Sequence, residues 1–538
     1  MQKHPQKQIC RVDEIDKKLL TFRLKKEQRQ KAKGAEVKFR QTSQRYDGYR
    51  QIIARAQIYD SEKKCAVTIA AKLIGVVFED DPEWLYETDK SRSPITERRL
   101  AARPRKAEKQ PAAASRTCET KEQRAAATQL GSFVKKKVEY TADAIIVKKV
   151  PIEILLTVAA LSGMRGLTDA TSVASYWNTN LSTLREMFPE YGLEEISHDT
   201  VRRIYMSLTE KCVRDITSGL YDWLPKRYSQ DRHHFAIDGQ SCRAARRDED
   251  YRQMMMLNAV DVTAGKLCAS HMMIDTKNHE PTHTPELITD FDLHGATVTL
   301  DALHTTPAIA EALMGAGAYY LLALKGNQPK LNDAVRKDFA AVAERNGLVE
   351  EWTKRTFEHN RWEERGYLVG PAAFIPDEIA NRWPGLKDGC IVRTTTKSFR
   401  QRRDGTWHNT EETRYFITNH LWEEEQNKPG ELSAWLQECV RGHWGVESFH
   451  WIMDAVWKQD KMQCKYIEYL RTRETLAKIG HNLVQTVRRI EQEEKGWAKP
   501  RSGTQIVNEA AATVESALSW LCKIFDYKAR TEASSGGS

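Results

Sequence analysis

FAIDGQ at residues 235–240 and TVTLDALHTTPAIAEAL at 297–313 carry the clearest strand signals in the chain. Each opens with a short apolar run and stops on an aspartate, Asp238 in the first and Asp301 in the second. Read as strands, both runs place a carboxylate at a strand's carboxyl end, where ligands collect in open α/β sheets. Residues 254–262, 267–274 and 319–324 are further short apolar runs, bounded by turns such as Thr263-Ala264-Gly265 and His294-Gly295. Helical patterns cover 285–291 and 307–314. A hairpin meander leading into β-α-β-α-β predicts an α/β fold with a mixed sheet flanked by helices.

Outward from that centre, residues 352–420 alternate again around a turn at Asp404-Gly405, which predicts a separate β-rich insertion after the fifth strand. Long helices follow at 432–457 and 466–491, another amphipathic helix at 507–526, and a flexible tail at 532–538. Upstream, 144–225 reads as helical, at 151–163, at 168–179 and from an N-cap at Asp199. Val201, Ile204, Tyr205 and Leu208 share one face of that last helix while Arg202 and Arg203 point elsewhere. The pattern fits a helix-turn-helix reader of DNA, and equally a plain helical bundle, the commoner structure. Residues 12–58 carry a loose helical pattern (Leu19, Leu20, Phe22, Leu24, Ile52, Ile53) under heavy Lys/Arg decoration, and the apolar run at 65–81 is strand or helix. The expected divisions are a basic extension (1–90), a linker (91–143), a helical DNA-binding region (144–228), a core in two parts (229–350 and 431–495) around the insertion (351–430), and a C-terminal helix with its tail (496–538).

A chain of 538 residues with 40% hydrophobic and 29% charged residues is neither a small disulfide scaffold nor wholly disordered. The longest apolar stretches are broken by Lys72 and Glu153, short of a membrane span, and MQKHPQKQIC lacks the apolar core of a secretory signal, so the cytosol is expected. Ten cysteines without a CxxC predict reduced, mostly buried thiols. Residues 1–60 hold 16 Lys or Arg against 7 Asp or Glu, a balance of +9 that equals the net charge of the whole chain. A basic arm beside a neutral body points to a polyanion such as nucleic acid, although a solubilising tail gives the same count.

The third acid of interest is Glu447, in RGHWGVESFHWIMDAVW (441–457). On a helix, Trp444, Ser448, Trp451 and Ala455 share one face, with Glu447, His450 and Asp454 beside it, and so aromatic a segment predicts burial and a screened carboxylate. Converging three carboxylates away from water is costly unless a cation neutralises them. Oxygen donors suit Mg²⁺ or Mn²⁺, and two such ions would serve phosphodiester cleavage or transfer.

IDGQ (237–240), TVTLDALHTTPAIAEAL, YYLLALKGNQ (319–328) and RGHWGVESFHWIMDAVWKQD (441–460), in that order, resemble bacterial insertion-sequence DDE transposases with an RNase H-like core, in the branch with the H-repeat-associated proteins. The resemblance covers about 145–490. It implies that Asp238, Asp301 and Glu447, spaced by 63 and 146 residues, are the catalytic and metal-binding triad for two Mg²⁺ ions, Mn²⁺ substituting. It further implies cleavage at transposon ends, attack of the freed 3′-hydroxyls on target DNA, no covalent enzyme intermediate, double-stranded DNA as partner, a homodimer, and a place at the bacterial nucleoid. The chain departs from the family in holding Val440, His443 and Asp454 where relatives carry Tyr, Arg and Lys around the Glu, and in matching the family's His-Gly-Arg-x-Glu-x-Arg segment only approximately with EHNRWEER (358–365). Nothing in 1–140 matches. Lys325, Arg202, Arg203, Arg441 and His443 are the expected DNA contacts, and His304 is a candidate to orient a metal-bound water or a structural residue. Zinc at His271, His279, His283 and His294 is disfavoured by their irregular spacing, and Trp444 and Trp451 are expected in the core rather than stacked on a base. The rival functions are a metal-dependent nuclease that does not join strands and a domesticated DNA-binding protein with lapsed catalysis.

Overall fold

A computed structural model describes residues 8–15, 36–46, 49–60, 65–78, 80–87, 125–126, 128–130, 150–226, 232–246, 253–274, 279–353, 355–358, 361–401, 406–462, 464, 466–510 and 514–535. The chain divides into two units, Met1–Ser115 and Arg116–Ser538.

The first unit contains an antiparallel sheet of β1 (Gln8–Arg11), β2 (Lys38–Tyr46), β3 (Tyr49–Asp60), β4 (Cys65–Phe78) and β5 (Asp81–Tyr86), in the order β1-β5-β4-β3-β2. This corrects the expectation of basic helices over 38–58 and makes the apolar run a strand over 65–78. Burial on β3 has period two, with Ile52, Ala54 and Ala56 inside and Arg55 outside, and the Ile52-Ile53 doublet had imitated a helical repeat. The leucines and phenylalanine at 19–24 lie outside the described residues.

In the second unit, the helical region is α1 (Ile152–Gly163), α2 (Ala170–Thr179), α3 (Leu181–Met187), α4 (His198–Ser207) and α5 (Glu210–Trp223). The cap of α4 is Ser197, whose hydroxyl accepts the Thr200 N–H at 3.2 Å, and not Asp199, which sits in the first turn where its charge favours the helix dipole. Val201, Ile204 and Tyr205 are buried as expected. From the expected linker, Ala126 and Leu130 are also buried in this helical core.

The core sheet is built from β6 (His234–Arg246), β7 (Gln253–Asp261), β8 (Leu267–Ile274), β9 (Thr297–Leu300) and β10 (Tyr319–Leu324), with α6 (Glu280–Leu287), α7 (Pro307–Gly315) and α8 (Pro329–Arg345) between and after the later strands. Beyond them come β11 (Glu351–Trp352), β12 (Thr356–Glu358), β13 (Arg361–Pro371), β14 (Cys390–Gln401) and β15 (Trp407–Thr418). The order is β11-β13-β14-β15-β10-β9-β6-β7-β8, with β12 on β13. β6, β9 and β10 run parallel, and β7 and β8 return antiparallel. The β-rich stretch is therefore not a separate body: β15 pairs antiparallel with β10 and carries the core sheet onward.

Where one long helix was expected at 432–457 there are two, α9 (Glu431–Gly442) and α10 (Trp444–Ala455). They are followed by α11 (Ile467–Glu494), α12 (Gly503–Ala510) and α13 (Val514–Ser535), so helix also replaces the expected tail as far as Ser535. α11 crosses α1 closely enough that a β-carbon on Gly480 would overlap the Gly163 backbone. One sheet face packs Phe235, Ile237, Val298, Leu300, Tyr320 and Leu322 beneath α6, α7 and α8. On the other, Ala236 and Val260 meet Val446, Phe449 and Met453 of α10, and Leu321 and Val392 meet Leu432, Trp435 and Leu436 of α9.

Candidate active site

Ile237 pairs with Leu300 at the end of the parallel β6–β9 ladder, so Asp238 and Asp301 are the next residues on strands about 5 Å apart. Alternation puts Asp238 on the face of Ala236 and Asp301 on the face of Thr297 and Thr299, the face that α9 and α10 cover. Glu447 lies in the first turn of α10.

Asp301 is held in detail. Its Oδ1 accepts the Leu303 N–H at 3.0 Å and the His304 N–H at 3.3 Å, and meets His304 Nδ1 at 2.8 Å. Burial would raise its pKa, but the His304 contacts and these amides outweigh burial and hold it below the ordinary carboxylate value. Oδ2 has no protein donor among the described residues. Asp238 goes the other way: burial, reinforced by the charges of Asp301 and Glu447, pushes it from 3.8 to about 6. Asp301 and Glu447 are thus both near enough to act on the Asp238 carboxylate through their charge.

Behind them is a layer whose partners Asn258, Thr299 and His234 the sequence did not single out. Burial, with the charge of Lys478, holds His450 down to about 3. Its Nε2 meets Asn258 Nδ2 at 3.1 Å, so with the amide donating, the neutral ring carries its proton on Nδ1, which lies 3.8 Å from Asp238 Oδ2. Gln240 ties β6 to α10 by donating to the His450 carbonyl at 3.2 Å and to Asp454 Oδ1 at 3.1 Å. The Thr299 hydroxyl bridges His234 Nε2 at 2.8 Å and His443 Nδ1 at 2.9 Å. Burial keeps these two histidines at about 3 and about 4, and His443 stands at the α9–α10 junction. A β-carbon on Gly442 would come within 2.8 Å of His234 Nδ1, which is why the junction reads Arg-Gly-His. Gln240, His443, His450 and Asp454 lie in the motifs the sequence singles out, but nothing in it pairs them with Asn258, Thr299 and His234.

Lys325 is exposed and follows β10, on the sheet edge where Asp301 follows β9. Its neighbours brace that edge: Asn327 Nδ2 donates to the Ala302 carbonyl at 2.6 Å and Gln328 Nε2 to that of Thr305 at 2.8 Å. Arg441 is exposed, its guanidinium 5.9 Å from the centre of the Trp444 ring. Arg202 and Arg203 are exposed on α4, Arg202 lying 5.1 Å over Tyr466, and no described contact brings them to the triad. His304 is buried against Asp301, and His271, His279, His283 and His294 are spread over β8, the start of α6 and the loop before β9.

Two expectations are corrected. Trp444 is 44% and Trp451 68% exposed, and Glu447 is exposed rather than screened. α10 buries only the stripe Gly445, Val446, Phe449 and Met453, so its tryptophans border the open side beside Glu447.

The donor set suits a hard divalent cation: three carboxylates, one with an unengaged oxygen and one whose charge is resisted by its neighbours. Among the described residues no three carboxylates, imidazoles or thiols already stand at coordinating distance. Among the same residues no helix is long and apolar enough to cross a membrane.

Residues 229–483 match the family described as "Transposase DDE domain", a span holding both aspartates, Glu447 and every strand of the core sheet. A protein of Xanthobacter autotrophicus, "Uncharacterized protein in dhlA 3'region", is 30% identical over 273 residues, covering 49% of this chain and 86% of that one. The chain belongs to the DDE transposase family. "H repeat-associated putative transposase YhhI" of Escherichia coli is 28% identical over 322 residues, 58% of this chain and 78% of the relative. "Putative transposase YncI" of Escherichia coli O157:H7 is 25% identical over 296 residues, 54% and 71% of the two. The mixed sheet of parallel β6, β9 and β10 with its antiparallel meander fits the RNase H-like fold of a DDE domain, and the family is in general dependent on a divalent metal.

Proposed function

We propose that the chain is a DNA transposase that cleaves at transposon ends and joins the freed 3′-hydroxyls to target DNA. The observation that carries this is the delivery of Asp238 and Asp301 from adjacent parallel strands to the sheet face on which Glu447 is mounted. These three residues would hold two Mg²⁺ ions, Mn²⁺ substituting, and the ions would supply Lewis-acid activation of the attacking oxygen and charge neutralisation at the leaving one.

The protein's own groups then have distinct work. Asp301 keeps Oδ1 on its loop and offers Oδ2. His450 sets its Nδ1–H beside Asp238, orienting that carboxylate and staying neutral while it does so. Lys325 and Arg441 reach phosphates flanking the scissile bond, and His443 contributes by holding the α9–α10 junction on Thr299. Trp444 and Trp451 give flat surfaces for unpaired bases. The helical region, through Arg202 and Arg203, and the basic N-terminal region serve as further DNA contacts. Two copies would act together, one per element end, wherever the cell's DNA lies.

Incubating the purified chain with Mn²⁺, labelled element-end DNA and a target plasmid tests this. Joined products support transposition, nicks alone support a nuclease, and neither, with Asp301→Asn leaving all biological activity intact, would reduce the protein to a DNA-binding role.

A further inference from the structure

The sheet of the N-terminal unit has a face used by nothing described above. On β3 the buried residues Ile52, Ala54 and Ala56 leave Ile53, Arg55, Gln57 and Tyr59 on the opposite face. Residues paired directly across antiparallel strands share a face, and the pairs Arg40 with Arg55, Lys38 with Gln57, Gln57 with Thr68 and Ile53 with Leu73 extend it over β2 and β4. Lys38, Arg40, Arg55 and Thr68 are exposed, and Tyr59 is 66% exposed.

The charges on this face are arranged against the sheet's own interest. Arg40 and Arg55 stand directly opposite each other, an arrangement that weakens a strand pair, and among the described residues no carboxylate is paired with either. Glu36 lies 3.6 Å from Lys38. Residues 1–115 as a whole hold 27 Lys or Arg against 16 Asp or Glu, so the cationic excess of the chain belongs to this unit. A row of cations interleaved with the amide of Gln57 and the hydroxyls of Thr68 and Tyr59 complements a line of phosphates, which takes donors of all three kinds. Stacking successive bases takes several rings, and among the described side chains of these three strands Tyr59 is the exposed ring on this face.

We propose that the open face of β2, β3 and β4 binds the phosphate backbone of double-stranded DNA, with Arg40 and Arg55 as its centre and little regard for base sequence. This deepens the reading of the chain as acting on DNA. The grip comes from a sheet, and the repulsion between the two arginines is relieved when phosphates lie over them.

The test uses the full chain and fluorescence anisotropy with a labelled duplex of arbitrary sequence, titrated across salt concentrations without divalent metal. Arg40→Gln with Arg55→Gln is expected to weaken binding about tenfold near physiological salt and to lower the slope of log affinity against log salt by about 2, two phosphate contacts' worth. The pair Arg40→Lys and Arg55→Lys keeps most of the affinity. Arg55→Glu replaces repulsion by attraction across the strands, so amide exchange in β2 and β3 slows while the affinity falls further. Unchanged affinity and slope in the glutamine variant overturn the proposal, as does loss of binding that tracks loss of exchange protection in this sheet, or a preference of this face for single strands or RNA. If the glutamine variant binds as wild type while element ends are still cut, only this inference falls. If wild type binds duplex through these arginines yet no DNA is ever cut with Mn²⁺, the reading of the core falls and this one stands.

Discussion

Replacing Asp238 by Asn is expected to make the metal-free protein more stable, and to do so only at neutral pH. The folded chain holds this carboxyl at about 6 against an ordinary 3.8. Between those values this group carries a proton in the folded state that it has released in the unfolded state, so its own contribution to stability falls as pH rises through roughly 4 to 6, and its full penalty stands above 6. About two pK steps at 1.36 kcal/mol each set a ceiling near 3 kcal/mol. With the side chain 26% exposed, solvent screening leaves about 1–2 kcal/mol. Asn keeps the carbonyl oxygen but not the charge, so at pH 7.5 its melting temperature is expected to lie about 2–8 °C above wild type, with the difference vanishing near pH 4. Mn²⁺ should then raise the melting point of wild type at pH 7.5, do so less at pH 5.5 where protons compete, and have little effect on the Asn variant. Scanning fluorimetry over pH 4–8, with and without Mn²⁺, reads all of this. An Asn variant whose melting temperature gains nothing on that of wild type between pH 4 and pH 7.5 would refute the argument that burial and neighbouring charges oppose ionisation here.

Other perturbations separate scaffold from chemistry. His450→Ala leaves the buried Asn258 amide without its ring partner and is expected to cost about 1–3 kcal/mol in denaturant unfolding and about tenfold in Mn²⁺ affinity. Trp451→Ala, at a position 68% exposed, should change stability by less than about 0.5 kcal/mol yet slow processing of element ends, and unchanged kinetics would remove its stacking role. Gly480→Ala drives a methyl into the Gly163 backbone, so a loss of about 3 kcal/mol or failure to accumulate folded protein is expected. Asn327→Ala releases the Ala302 carbonyl from its 2.6 Å bond and should lower the cleavage rate with little effect on duplex affinity, measured by single-turnover kinetics and anisotropy.

The central strands were legible because each is short, apolar and ended by a turn: the runs at 267–274 and 319–324 form strands with those bounds. The same signal gave Asp301 at the end of β9, whereas β6 continues past Asp238 to Arg246 and only its parallel ladder with β9 stops at Ile237. What stayed hidden depends on which surfaces meet. β3 could be recognised only with β2 and β4 on either side of it, because an isoleucine doublet among arginines serves either period. Alternation in 352–420 announced strands without saying which sheet they join. The aromatic content of α10 was mistaken for burial, although the contact stripe is Val446, Phe449 and Met453 and two tryptophans face outward. The Thr299 bridge joins His234 to His443 across more than two hundred residues, and no local pattern encodes it.

The two kinds of support around the acids imply an order of assembly. Asp301 is fixed by its own loop through Leu303 and His304, and that loop is fixed by Asn327 and Gln328, so its position needs no cation. Asp238 lies within β6, paired there with Asn258 of β7 and one residue beyond the β6–β9 ladder. Glu447 differs, since it is exposed and rides on a helix seated by a narrow apolar stripe, with Gln240 and the His443–Thr299 contact as its polar tethers. A cation meeting this site would therefore find two carboxylates already placed and recruit the third by adjusting α10 alone. Weakening the tethers, for example with Gln240→Ala, should then lower Mn²⁺ affinity while leaving the metal-free exchange protection of β6 and β9 intact. Loss of protection in those strands would show instead that the aspartates depend on α10 as much as it depends on them.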